Sequence, residues 1–173
     1  MKALAAALLA LVVACGAGNV ILNVDVLSFL SASDSTKAYT IPITATIDST
    51  ISRRFTLPPG LGGSTVDSVS ATVAAVLQNQ TGSGSVILDV FFAKTQGGLF
   101  TGTPYLSDSS GPVTGAQTVP LGKNTVAIAD TVFNTDSLWV GIRARITTTV
   151  APMTGQLRFT DLHLRIVVQD NIL

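Results

Sequence analysis

Residues Leu138–Val150, LWVGIRARITTTV, decide the fold. Leu138, Val140, Ile142, Ala144, Ile146 and Thr148 fall on one side of an extended chain. Trp139, Arg143, Arg145 and Thr147 fall on the other. Side chains alternate across a strand with period two, so one side is apolar and the other carries charge. No helical stripe fits this spacing, and β-branched residues dominate it. The segment reads as a strand with one face on a core.

The same period recurs on both sides of it. Residues 19–30 set Val20, Leu22, Val24 and Val26 against Asn19, Asn23 and Asp25, with Ile21 out of phase. Residues 38–48 turn Tyr39, Ile41, Ile43, Ala45 and Ile47 inward, and Pro42, which donates no ladder bond, marks this strand as an edge or near a bulge. Arg53–Leu57 reads as a short strand stopped by Pro58-Pro59-Gly60. Val66–Gln78 and Val86–Lys94 flank the Gly- and Ser-rich run Asn79–Ser85 and read as a central hairpin. Residues 96–124 form a long connection, rich in Gly, Ser, Thr and Pro, in which one or two short strands are expected. Residues 125–133 read as a further strand or a short helix-like piece.

The last strand, 156–169, breaks phase. Leu157 and Phe159 are odd-numbered, whereas Leu162, Leu164, Ile166 and Val168 are even. One extra residue is needed to keep both sets on one face, which predicts a β-bulge at Thr160-Asp161. About eight to ten such strands, without a convincing helix, predict an all-β fold: an antiparallel, jelly-roll-like β-sandwich. An outer-membrane barrel is the competing all-β reading. Its aromatic girdles need many Tyr and Trp, and this chain has one Trp and two Tyr.

Composition agrees. The chain has 173 residues with ten basic and ten acidic side chains, and every acid is an aspartate. Such a balance excludes the strong basic excess of a nucleic-acid binder. One histidine and one cysteine leave too few ligands for a zinc site, and no metal or cofactor is expected.

The N-terminus sets the location. Lys2 precedes an apolar run, Ala3–Val13, and Val12-Val13-Ala14-Cys15-Gly16 follows. The run is shorter than the about 20 residues a membrane span requires and suits a signal-peptide h-region. This arrangement resembles the lipobox of bacterial lipoproteins, with the sole cysteine at the demanded position. The resemblance covers residues 1–16 and implies that residues 1–14 are a signal peptide and that Cys15 takes a diacylglycerol. Residues 15–18 are then a lipidated start and short tether, and 19–173 a single β-sandwich domain. An ordinary secretory signal cut after Ala17 competes with this reading, and so does a helix over residues 3–14. A lipid-anchored chain belongs to the cell envelope. Gly16 in place of Asp after the cysteine resembles lipoproteins sent to the outer membrane or cell surface.

Chemistry is thin. His163 is the lone candidate for a Ser-His-Asp triad, but it lies mid-strand and no G-x-S-x-G element is present. Asp34, Asp108 and Asp136 sit among Ser, Thr and Asn, where turn capping competes with calcium binding. The patterned polar surface comprises Trp139, Arg143, Arg145, Arg158, His163 and Arg165. If 138–150 and 156–169 form a hairpin turning near Pro152-Met153, these residues share one face, with Asp161 opposite Arg143 or Arg145. Such a face is either a ladder of ion pairs or a site for anionic lipid or glycan. Phe100 and Tyr105, in the long connection, either bind a ligand or plug the end of the sandwich. The expected function is a membrane-anchored, non-enzymatic interaction or structural module, its partners the membrane through the lipid and an envelope protein, glycan or anionic lipid. The alternative is a glycan- or lipid-binding module.

Overall fold

The computed structural model describes residues 18–56, 65–125, 130–135 and 137–170. Cys15, the signal segment, Leu57 and the Pro58-Pro59-Gly60 stop lie outside them. Among the described residues there are eight strands: β1 (Gly18–Asp25), β2 (Thr36–Ile41), β3 (Thr46–Thr56), β4 (Thr65–Ala93), β5 (Leu106–Ser109), β6 (Val113–Thr114), β7 (Gln117–Thr125) and β8 (Ser137–Asp170). One short helix, α1 (Ala32–Ser35), precedes β2.

Two long strands organise the rest. β8 pairs with β4 along its length, Ala93↔Trp139 at one end and Thr65↔Gln169 at the other. The other edge of β8 takes β3, β2 and β1 in turn, and the other edge of β4 takes β7, β6 and β5. Every pairing is antiparallel.

The β4–β8 ribbon folds over at a corner, Asn79–Gly84 in one strand and Thr148–Met153 in the other. The register slips there between Asn79/Thr81, Thr81/Ser83 and Ser83/Gly84. One layer then holds β1, β2, β7 and the flanking halves of the ribbon. The other holds β3, β5 and the remaining halves. Val69, Val73 and Leu77 from one half of β4 and Val86, Leu88 and Val90 from the other enter one core with Leu138, Ile142, Leu157, Leu162 and Ile166 of β8. Burying a side chain of this size contributes about 1.5–3 kcal/mol. The result is an all-β, jelly-roll-like antiparallel sandwich.

Glycine makes the corner. Gly82 has φ +72°, and a Cβ there would enter the space of the carbonyl oxygens of Pro152 and Val150. A Cβ at Gly84 would strike the carbonyl oxygen of Thr147. Beside them Asn79, 4% exposed, satisfies its whole amide. Its Nδ2 donates to the carbonyls of Gly82 (3.2 Å) and Gly115 (2.7 Å), and its Oδ1 accepts from the Tyr39 hydroxyl at 2.8 Å. Burial pushes the Tyr39 phenol up to about 12.

The bulge at Thr160 is present. Phe159 faces Ala75 and Asp161 faces Ala74, which leaves Thr160 without an opposite residue. Ile21 is exposed, as its phase requires, and Val26 is buried.

Five expectations need correction. Val66–Gln78 and Val86–Lys94 are not a hairpin but one 29-residue strand, because the glycines bend the chain without reversing it. Residues 138–150 and 156–169 likewise belong to one strand of 34 residues. The segment 38–48 breaks at Pro42 into β2 and β3; Ile43 (65%) is exposed rather than inward, and Ile47, on the inward side opposite Ile146, is still 39% exposed. Arg53–Leu57 is not a separate strand, since its described part ends the 11-residue β3. The connection 96–124 contains three strands, β5, β6 and most of β7, rather than one or two. Residues 131–133 form a 3-10 turn, the short helix-like alternative expected within 125–133.

Candidate functional site

The outer face of the β3-containing layer carries the densest chemistry. Register places Thr50, Arg143, Asp89 and Ser107 in one row across four strands, with Asp48, Arg145 and Ile87 in the next. Arg143 donates from Nε (3.1 Å) and Nη2 (2.7 Å) to Oδ2 of Asp89, and Ser107 Oγ donates to Oδ1 at 2.7 Å. Asp89 is 3% exposed. The Arg143 guanidinium also lies 4.8 Å from the centroid of the Phe91 ring. Arg145 grips Asp48 with two donors, at 3.0 and 3.3 Å, and holds that carboxyl below the usual carboxylate range.

Phe91, Ala93 and Leu99 form a second small core on this face, joined by Phe100 and Trp139. Phe100 adopts φ +60° and packs edge-on against Phe91, with centroids 5.2 Å apart. Gly141 makes room for it, because a Cβ there would lie 2.9 Å from Cε1 and Cζ of Phe100. Phe100 and Trp139 therefore cover the outer face as packing side chains.

Next to this cover lies a cleft of about 450 Å³, lined by Phe91, Phe92, Gly98, Thr101–Tyr105 and Asp130. Tyr105 stands between cleft and core. Its ring meets Phe92 at 5.2 Å and Phe133 at 6.0 Å. Its hydroxyl donates to the Asp130 carboxylate, which Tyr105 and the Val132 amide keep acidic. Burial, followed by that bond, drives the Tyr105 phenol far above its usual range.

The polar residues singled out from sequence do not form one surface. Trp139, Arg143 and Arg145 belong to one layer and Arg158, His163 and Arg165 to the other, on faces that point away from each other. The reason is the absent hairpin: β8 crosses the corner and each half sends its apolar side into the shared core. Asp161 accordingly faces neither Arg143 nor Arg145. It contacts Nδ1 of His163, which is exposed. Asp34 receives Lys37 and Arg53, and Asp108 accepts the Gly122 amide at 2.7 Å. Asp136 and Cys15 lie outside the described residues. Among those described, no three His, Cys or Asp side chains cluster as metal ligands.

Sequence reading missed Asp89, Gly141 and Asp130. The first two carry a signal. A lone carboxylate inside the apolar run Val86–Phe92 needs a buried partner, and a glycine in a strand interior marks a close approach. Asp130 carries none, since it meets Tyr105 from 25 residues away.

No family model matches the chain, and no curated protein does. Among solved structures it is similar to a chain of infectious bursal disease virus, Gx strain (TM-score 0.49, 11% identity, 91% of this chain and 35% of that one). A chain of the Gt strain gives 0.45 and 11%, covering 90% and 34%. The present chain thus spans about a third of either viral chain. A third similar structure is TmCBM61 in complex with beta-1,4-galactotriose (TM-score 0.36, 12% identity, 83% of this chain and 80% of that one).

Proposed function

We propose that this chain is a lipid-anchored, non-enzymatic β-sandwich of the cell envelope that works as an interaction module. The observation that carries this reading is the start of β1. Gly18 already pairs with Asp170, next to the Thr65↔Gln169 pair of the central ribbon. Only Gly16 and Ala17 separate it from Cys15. At about 3.3 Å per residue, that spacer reaches some 10 Å. Diacylglycerol on the thiol would hold the rigid body directly against the bilayer. One chain binds only marginally at about 0.8 kcal/mol per methylene, whereas two give durable anchoring. Gly16 supports placement in the outer membrane or at the cell surface.

The test is Cys15→Ala expressed in a bacterial host fed a labelled fatty acid. The parent chain takes label and pellets with membranes. The variant does neither. Label retained in Cys15→Ala contradicts the reading.

A second reading is favoured by the cleft beside Tyr105. Three threonine and tyrosine hydroxyls beside the edges of Phe91 and Phe92 suit a sugar ring, which offers both hydroxyls and apolar C–H faces. Thr103→Arg fills the mouth without touching the Phe92–Tyr105–Phe133 contacts. Glycan retained by the parent and lost by Thr103→Arg supports this reading, and equal retention by both removes it.

A further inference from the structure

β3 is the long open edge of the sandwich. Among the described residues its 11 residues pair only with β8, from Thr46↔Thr147 to Thr56↔Ser137, without a register slip. An unpaired edge is a template for another strand, and proteins blunt such edges with charge, proline, bulges or brevity; of these β3 carries only charge, at Asp48, Arg53 and Arg54. Several other edges show those devices: β2 has six residues and stops before Pro42, β7 carries Pro120, and β5 and β6 have four and two residues, whereas the eight-residue β1 shares with β3 the lack of proline and bulge. β3 has neither proline nor bulge.

Its sequence, TIDSTISRRFT, is complementary to itself reversed. Set antiparallel to a second copy about Ile51, Asp48 falls opposite Arg54 of the second copy, and Arg54 opposite its Asp48. Both residues lie on the outer face, out of phase with the buried Ile51 and Phe55. Ile47 falls opposite Phe55 of the second copy. Phe29, 61% exposed, packs edge-on against Phe55 at 5.2 Å, so this pairing covers two exposed apolar side chains, Ile47 and Phe29. Asp48 retains lone pairs beyond those held by Arg145, and among the described residues Arg54 donates to Ser137 Oγ at 3.1 Å.

We propose that the chain forms a two-fold dimer through antiparallel β3–β3 pairing, with Asp48 and Arg54 as its reciprocal charge pair. Main-chain bonds provide the affinity of such edge additions, and the charges fix the register.

Native mass spectrometry of the full chain released from detergent tests this. The parent gives a dimer. Arg54→Asp sets two aspartates against each other at both contacts, and Asp48→Arg sets two arginines together. Each variant alone weakens the dimer at least tenfold. Mixed, they restore it as a heterodimer, because both contacts are again of opposite charge. If Asp48→Arg fails to fold without its Arg145 partner, Arg54→Asp alone decides. A monomeric parent, or an Arg54→Asp chain as dimeric as the parent, overturns the proposal. These outcomes are independent of lipid on Cys15.

Discussion

Arg143 closes over Asp89 with two donors on a single carboxylate oxygen, and Ser107 holds the other oxygen. Both charges are largely out of water, with side-chain exposures of 17% and 5%. Removing one member of a buried pair strands the other. Asp89→Ala is expected to cost about 3 kcal/mol, and Ser107→Ala about 1 kcal/mol. Urea unfolding, which does not screen charge, measures both. An Asp89→Ala loss no larger than that of Ser107→Ala would show that the guanidinium is hydrated.

Gly141 and Phe100 give a second prediction. Gly141→Ala places a methyl group where the Phe100 ring now lies. Overpacking of this kind costs about 1–3 kcal/mol. Trp139 is the only tryptophan and packs on the same cluster. Its emission should shift to the red as the 95–100 segment lifts. An unchanged spectrum with unchanged stability would mean that Phe100 does not cover this face.

The corner offers a third. Gly82 lies at positive φ against the β8 backbone, so Gly82→Ala combines strain of about 1–3 kcal/mol with a steric clash. Asn79→Leu strands the Tyr39 hydroxyl and the two glycine carbonyls. We expect either change to lower the unfolding midpoint more than Gly97→Ala, where a Cβ meets nothing within 4 Å.

Both tyrosines titrate late. The Tyr39 phenol is raised to about 12 and Tyr105 is raised further. The folded chain keeps these protons where the unfolded chain, near pH 10, has lost them. Their stabilising contribution is therefore complete below pH 10 and falls as pH rises toward 12. Phenolate absorbance should stay low past pH 10 and rise together with loss of the β-sheet signal. A rise at pH 10 in the folded chain would place both hydroxyls in water.

Much of the fold was legible because alternation records which side of a strand meets the core. The odd-to-even change between Phe159 and Leu162 located the bulge at Thr160, and Ile21 declared itself exposed. Direction was not legible. Gly82, Gly84 and the Pro152 region carry the local chemistry of a reversal, and only the close approach of two strands about 70 residues apart turns them into a corner. The basic face failed for that reason: Arg143 and Arg158 lie in one strand, on opposite sides of the molecule. Phe100 and Tyr105 were legible as aromatic residues needing an apolar neighbour, but not that Phe100 covers the outer face on Phe91 while Tyr105 packs between Phe92 and Phe133.

The mass of the chain isolated from membranes tests the central claim most directly. The expected species is a polypeptide beginning at Cys15 and heavier than its sequence by a diacylglycerol, with or without a further acyl chain. An unmodified polypeptide beginning after Cys15 would contradict it.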